Sequence, residues 1–124
     1  MRSLMASMVL GVNPGYFHDN NNPLTLEEFS QIIFDVMQDY SNNTGEYVAF
    51  NITKVKITYK YEWGCPVGGE DAFKLEATLN PAYDEKDEWI ERVNKIAKYL
   101  KTYFGQSTVT LAFVEIPQLI YMAD

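Results

Sequence analysis

The spacing of hydrophobic residues changes along the chain, and each change marks an element. Leu4 to Val12 is a short, nearly unbroken apolar run, the pattern of a strand. Asn13 to Pro23 interrupts it with two prolines, a glycine and four asparagines. Thr25 then opens a T-x-x-E capping box with Glu28, and Leu24 is placed to staple against Phe29. Leu26, Phe29, Ile33, Val36, Met37 and Tyr40 recur at helical spacing, and Gly45 supplies a left-handed cap beyond them.

From Tyr47 to Trp63 the period falls to two. Val55, Ile57, Tyr59, Tyr61 and Trp63 share one face, and Lys54, Lys56, Thr58, Lys60 and Glu62 the other. Val48, Phe50 and Ile52 are apolar in the opposite phase, which predicts a β-bulge near residues 51–53 or an early turn. Alternation resumes at Phe73, Leu75, Ala77 and Leu79, and Asn80-Pro81 stops it. The strongest helical stripe follows: Trp89, Val93, Ile96, Ala97, Leu100 and Phe104, ended by Gly105. "STVTLAFVEI" predicts a last strand, Pro117 interrupts it, and "QLIYM" is a candidate short edge strand.

The order β-α-β-β-α-β over a single domain, residues 1–124, predicts an α+β fold: a four-stranded antiparallel sheet with two helices on one face. The segment "YLKTYFGQSTVTLAF" is similar to the second half of many small ferredoxin-like domains, which implies that same fold. The second helix should pack Trp89, Val93, Ile96 and Leu100 against Ile57, Tyr59, Phe73, Leu75, Leu111 and Phe113. The opposite sheet face would then carry Lys54, Lys56, Lys60, Lys74, Glu76, Thr78, Thr108 and Thr110, as solvent surface or as a polar ligand or oligomer surface. Its two central strands carry no aromatic platform of the kind that binds RNA.

Charge narrows the partners. The formal net charge is −7, and a uniformly acidic domain repels phosphate, so nucleic acid is not an expected direct ligand. A basic or nucleic-acid-binding protein is the expected partner. No segment approaches the ~20 apolar residues of a membrane span. The N-terminal apolar run is followed by Gly-Val-Asn-Pro rather than a cleavage site, and reads as a strand rather than a signal peptide. A single cysteine forms no internal disulfide, and a cytoplasmic location is expected.

Candidate chemistry is sparse. Cys65 sits in "WGCPVGGED" with no adjacent cation, and Glu70 and Asp71 are its nearest downstream charges. A nucleophilic thiol needs a base, a cation or a helix N-terminus, so the segment reads as a turn with no catalytic or metal role for Cys65. His18 beside Asp19 lacks the further ligands of a zinc site. Asp84, Glu85, Asp87 and Glu88 lack the calcium-loop pattern and suit a helix start. No phosphate-loop or nucleophile-elbow motif is present, and no cofactor or metal is expected.

These observations predict a non-catalytic module that binds a protein partner. Its contact surface would be Asp84, Glu85, Asp87 and Glu88 with the aromatics Tyr16, Phe17 and Tyr83. In general character, though not in motif, such a domain is similar to phage-encoded inhibitors of host defence, including anti-CRISPR proteins. An oligomeric small-molecule binder or enzyme with a pocket between protomers is the alternative, and a structural phage or prophage component is a third.

Overall fold

The computed structural model describes residues 1–12 and 24–124. The strands are β1 (Ser3–Gly11), β2 (Asn51–Ile57), β3 (Glu70–Thr78) and β4 (Leu111–Ile116), and the helices are α1 (Leu26–Thr44) and α2 (Lys86–Tyr103). The strands form one antiparallel sheet in the order β2-β3-β1-β4. This is the expected ferredoxin-like arrangement, because each crossover helix returns the chain past one neighbouring strand.

Both helices begin where their caps place them. The Thr25 hydroxyl accepts from the Glu28 amide, and the Glu28 carboxylate accepts from the Thr25 amide, each at 3.1 Å. Gly45 closes α1 at φ 76°, in the left-handed region. At the start of α2, Glu85 accepts from the amides of Asp87 and Glu88 at 3.0 and 2.9 Å. These bonds favour the charged carboxylate and hold its pKa below the ordinary value. Phe29, Ile33, Val36 and Met37 of α1 and Trp89, Val93, Ile96 and Leu100 of α2 are buried against one sheet face. Phe29 stacks on Phe73 with centroids 4.0 Å apart, and Trp89 meets Phe113 edge-on.

Strand β2 departs from the expected phase. Ile52 pairs with Leu75 and Lys54 with Phe73, in register without interruption from Asn51 to Ile57, so there is no bulge at residues 51–53. The helix-side phase set at Ile52 therefore continues through Lys54 and Lys56. An edge strand permits this because a lysine there can reach outward. The Lys54 ammonium donates to the Leu24 carbonyl at 3.0 Å, and that of Lys56 sits 2.8 Å from Asp71. Val55 and Ile57 thus join Lys74, Glu76 and Thr78 on the bare face. Phe73, Leu75, Leu111 and Phe113 are in or against the core as expected, whereas Ile57 and Tyr59 line a cavity on the other side.

The expected long strand to Trp63 ends at Ile57, and Tyr61–Trp63 form a single 3-10 turn. Residues 118–122 form no strand. Leu119 instead exchanges hydrogen bonds with Met1, its amide donating at 2.6 Å and its carbonyl accepting from the Met1 ammonium at 3.0 Å. Among the described residues, no helix is long and apolar enough to cross a membrane.

Candidate active site

The bare face of the sheet ends in a cavity of about 670 Å³. Three pieces of chain converge on it: the neighbouring ends of β1, β2 and β3, the β2–β3 connector, and the α2–β4 connector. Val9, Gly11, Ile57 and Glu70 come from the strands, Tyr59, Glu62 and Trp63 from the first connector, and Gln106, Ser107 and Thr108 from the second.

Glu70 is the first residue of β3 and only 8% exposed. Burying a carboxylate costs free energy unless hydrogen bonds replace its water. The Tyr59 hydroxyl donates to Glu70 Oε2 at 3.2 Å. Tyr59 is held in turn by its own connector. Its amide donates to Cys65 Sγ at 3.5 Å, and the buried Cys65 thiol donates to the Pro66 carbonyl at 3.4 Å. Cys65 is therefore an internal brace, in agreement with the turn reading of this segment. Gly69 completes the turn at φ 95°, where an added Cβ would lie 3.0 Å from the Ile57 carbonyl oxygen. Only glycine fits that conformation and that approach, and it delivers Glu70 to the cavity wall.

Gln106 lies opposite. Its amide nitrogen donates to the Phe104 carbonyl at 3.2 Å, which turns its oxygen toward Gly11. A Cβ on Gly11 would stand 2.6 Å from Gln106 Oε1 and 3.1 Å from Glu70 Oε1. The missing side chain of Gly11 is thus the space in which these two groups approach each other. The charged side chains on the described wall, Glu62 and Glu70, are both negative. The arrangement suits a cationic ligand that also has an apolar part, for which Val9, Ile57 and Trp63 provide contact. No cluster of metal-ligating side chains occurs among the described residues.

The expected contact residues lie elsewhere. Tyr83 to Glu88 follow β3 and lead into α2, beside a smaller cavity lined by Arg2, Leu79, Pro81 and Asp84 at the opposite end of the sheet. Asp84 pairs with Arg92 at 3.1 Å, Glu85 caps α2, and Asp87 and Glu88 form its acidic first turn. The Tyr83 hydroxyl lies 2.8 Å from that of Tyr121. Tyr16, Phe17 and His18 lie outside the described residues. Sequence reasoning did not single out Tyr59, Glu70 and Gln106 as site residues. The available signal was a carboxylate pair, Glu70-Asp71, heading an alternating strand directly after Gly-Gly.

A family model described as SAM lyase matches residues 1–122. No curated protein sequence matches. Two solved structures resemble the chain at 16% identity. One, a phage SAM lyase in complex with S-methyl-5'-thioadenosine, covers 91% of this chain and 81% of its own with a TM-score of 0.61. The other, a phage SAM lyase in the apo state, covers 92% and 81% with a TM-score of 0.66. At that identity the structures establish the shared fold. The family match overturns the expectation of a non-catalytic binding module or inhibitor: a lyase is an enzyme. The expectation rested on the lack of a nucleophile and of a metal set, neither of which a lyase requires.

Proposed function

The chain belongs to the SAM lyase family, and we propose that it cleaves S-adenosylmethionine in the cavity around Glu70, releasing S-methyl-5'-thioadenosine. The observation that carries this reading is the buried Glu70 carboxylate, fixed by Tyr59 in a cavity whose charged side chains, among the described residues, are negative. The substrate bears a sulfonium and an ammonium against one carboxylate, so it enters as a cation. The nucleoside named with the similar phage enzyme is the thioether expected when the bond from sulfur to the four-carbon chain breaks.

The electron balance defines the step. The bond from sulfur to the γ-carbon breaks, and its electron pair stays on sulfur as a neutral thioether. A lyase adds no water; in the step proposed here the γ-carbon bonds instead to the substrate's own carboxylate oxygen and closes a five-membered lactone, a route that needs no base to remove a carbon-bound proton. No proton moves. Such a step depends on holding the chain folded for attack, which orientation by the protein accelerates. A carboxylate placed on the sulfonium would stabilise the charge that the reaction removes, and so favour substrate over transition state. The productive partner of Glu70 is the ammonium group, whose charge persists throughout.

This reading includes a cytoplasmic location, consistent with one buried, unpaired thiol. It also includes a homo-oligomer assembled through the bare face, on which Val9 and Val114 are exposed; the mass in solution tests that part. The activity is tested by incubating the protein with S-adenosylmethionine in ¹⁸O-water and following products by mass spectrometry. The expected early products are S-methyl-5'-thioadenosine and a lactone without ¹⁸O. Glu70→Gln should fold normally and lose about 10²-fold or more in kcat/KM, because the ammonium anchor that holds the chain folded for attack is lost. Absence of the thioether with the wild-type protein, or full activity of Glu70→Gln, would overturn the reading.

A further inference from the structure

We propose that Trp63 is the platform on which the adenine ring of the substrate stacks, so that selectivity for adenosyl compounds resides in the β2–β3 connector. This rests on the lyase reading above. The cavity divides by chemistry. Glu70 and Gln106 mark its polar end, while Val9, Ile57 and Trp63 supply apolar surface. An adenosyl sulfonium divides in the same way, with a flat purine at one end and a charged amino-acid chain at the other.

Trp63 is unusual for a residue of this size in being 58% exposed while lining a cavity. Its backbone is nevertheless held. The Trp63 amide donates to the Lys60 carbonyl and the Gly64 amide to the Tyr61 carbonyl, both at 2.9 Å, and Gly64 turns the chain at φ 98°. The Lys60 ammonium lies 5.2 Å from the centre of the indole ring, a cation–π contact on one face. The opposite face is the one a planar ligand takes. A ring held in this way loses little conformational freedom on binding, the condition under which stacking contributes most. Trp89, the second tryptophan, is 3% exposed in the core and offers no such surface.

Having one exposed and one buried tryptophan makes the test direct. S-methyl-5'-thioadenosine is titrated into wild type, Trp63→Phe and Trp63→Ala, with binding followed by calorimetry and by tryptophan fluorescence. The nucleoside should change the emission of wild type and leave that of Trp63→Phe, which reports Trp89 alone, unchanged. Trp63→Ala should weaken binding of the nucleoside and raise KM for S-adenosylmethionine about tenfold or more. Its kcat should stay within about twofold, because stacking is made equally in substrate and transition state. Trp63→Phe should recover most of the affinity. Wild-type KM and nucleoside affinity in Trp63→Ala, or an equal emission change in Trp63→Phe, would overturn the stacking role while leaving the lyase reading in place. A Trp63→Ala protein of lower mass that regains wild-type KM at high protein concentration would also overturn it, assigning the ring to contact between copies. A wild-type protein that neither binds the nucleoside nor cleaves the substrate overturns the lyase reading, and the stacking role with it.

Discussion

Replacing Gly11 with alanine isolates the geometry of the cavity from the stability of the fold. An alanine Cβ would stand 2.6 Å from Gln106 Oε1, so that oxygen must retreat by roughly 0.8 Å to reach ordinary contact. Glu70 Oε1, at 3.1 Å, must give by roughly 0.3 Å. Both are ends of side chains, and their movement costs the fold little. Gly11 ends β1 without a positive φ, so alanine also removes unfolded-chain entropy, an effect of about 0.4–1 kcal/mol in favour of folding. The melting temperature should therefore be unchanged or slightly higher. Activity should respond differently, because a misplacement of about 1 Å at a reacting site can cost about 10²-fold. We expect Gly11→Ala to lose about 10- to 100-fold in kcat/KM for S-adenosylmethionine. In a Gln106→Ala background the clash with the amide is gone, and the same glycine substitution should cost clearly less. Full activity in Gly11→Ala, or strict additivity of the two substitutions, would refute the argument that Gly11 serves as shared space for Gln106 and Glu70.

Leu100 of α2 is fully buried, and Leu100→Ala should cost about 2–5 kcal/mol in urea unfolding; Lys98→Ala, on the exposed side of the same helix, should change stability by less than about 0.5 kcal/mol. Glu85→Ala should lower the melting temperature at neutral pH. The folded-state pKa of Glu85 is depressed, so its contribution is complete above its ordinary value of 4.5 and is lost as pH falls through the lowered one. Wild type and Glu85→Ala should therefore converge in strong acid, and a constant gap down to low pH would count against the cap. Added salt should raise KM for the cationic substrate and leave inhibition by the uncharged S-methyl-5'-thioadenosine nearly unchanged; equal salt effects on both would mean the cavity charge does not contribute to binding.

Helices, caps and most of the sheet were legible because their signals are local. The Thr25–Glu28 box, the stripe from Trp89 to Leu100 and the alternation from Phe73 to Leu79 each need only neighbouring residues. Strand β2 was misread where two local signals conflicted. Val55 and Ile57 have core-like chemistry, but Ile52 and its partner Leu75 had already fixed the register, and an edge strand let two lysines occupy the helix side. The cavity was illegible for a different reason. Gly11, Glu70 and Gln106 are far apart in sequence and meet only because β1 lies between β3 and β4. None forms a short motif with its neighbours. Tyr59 looked like one more core aromatic until the connector folded back and put its hydroxyl on Glu70.

A net charge of −7 suits a basic macromolecular partner. A negative field attracts a small cation by the same physics, and low-dielectric cavity walls concentrate it. In the reaction proposed here, the sulfonium charge disappears as its bond to the carbon chain breaks. The nucleoside product leaves without the attraction that drew the substrate in, so an acidic cavity favours entry of the substrate over retention of the nucleoside. Acidity therefore acquires a functional meaning from its position. At the start of α2, Glu85 and Glu88 serve the helix. At the head of β3, Glu70 is buried, fixed by Tyr59 and set opposite Gln106 across Gly11. In the proposed reaction the surrounding sheet sets that one carboxylate to face the ammonium, whose charge persists while that of the sulfonium is consumed.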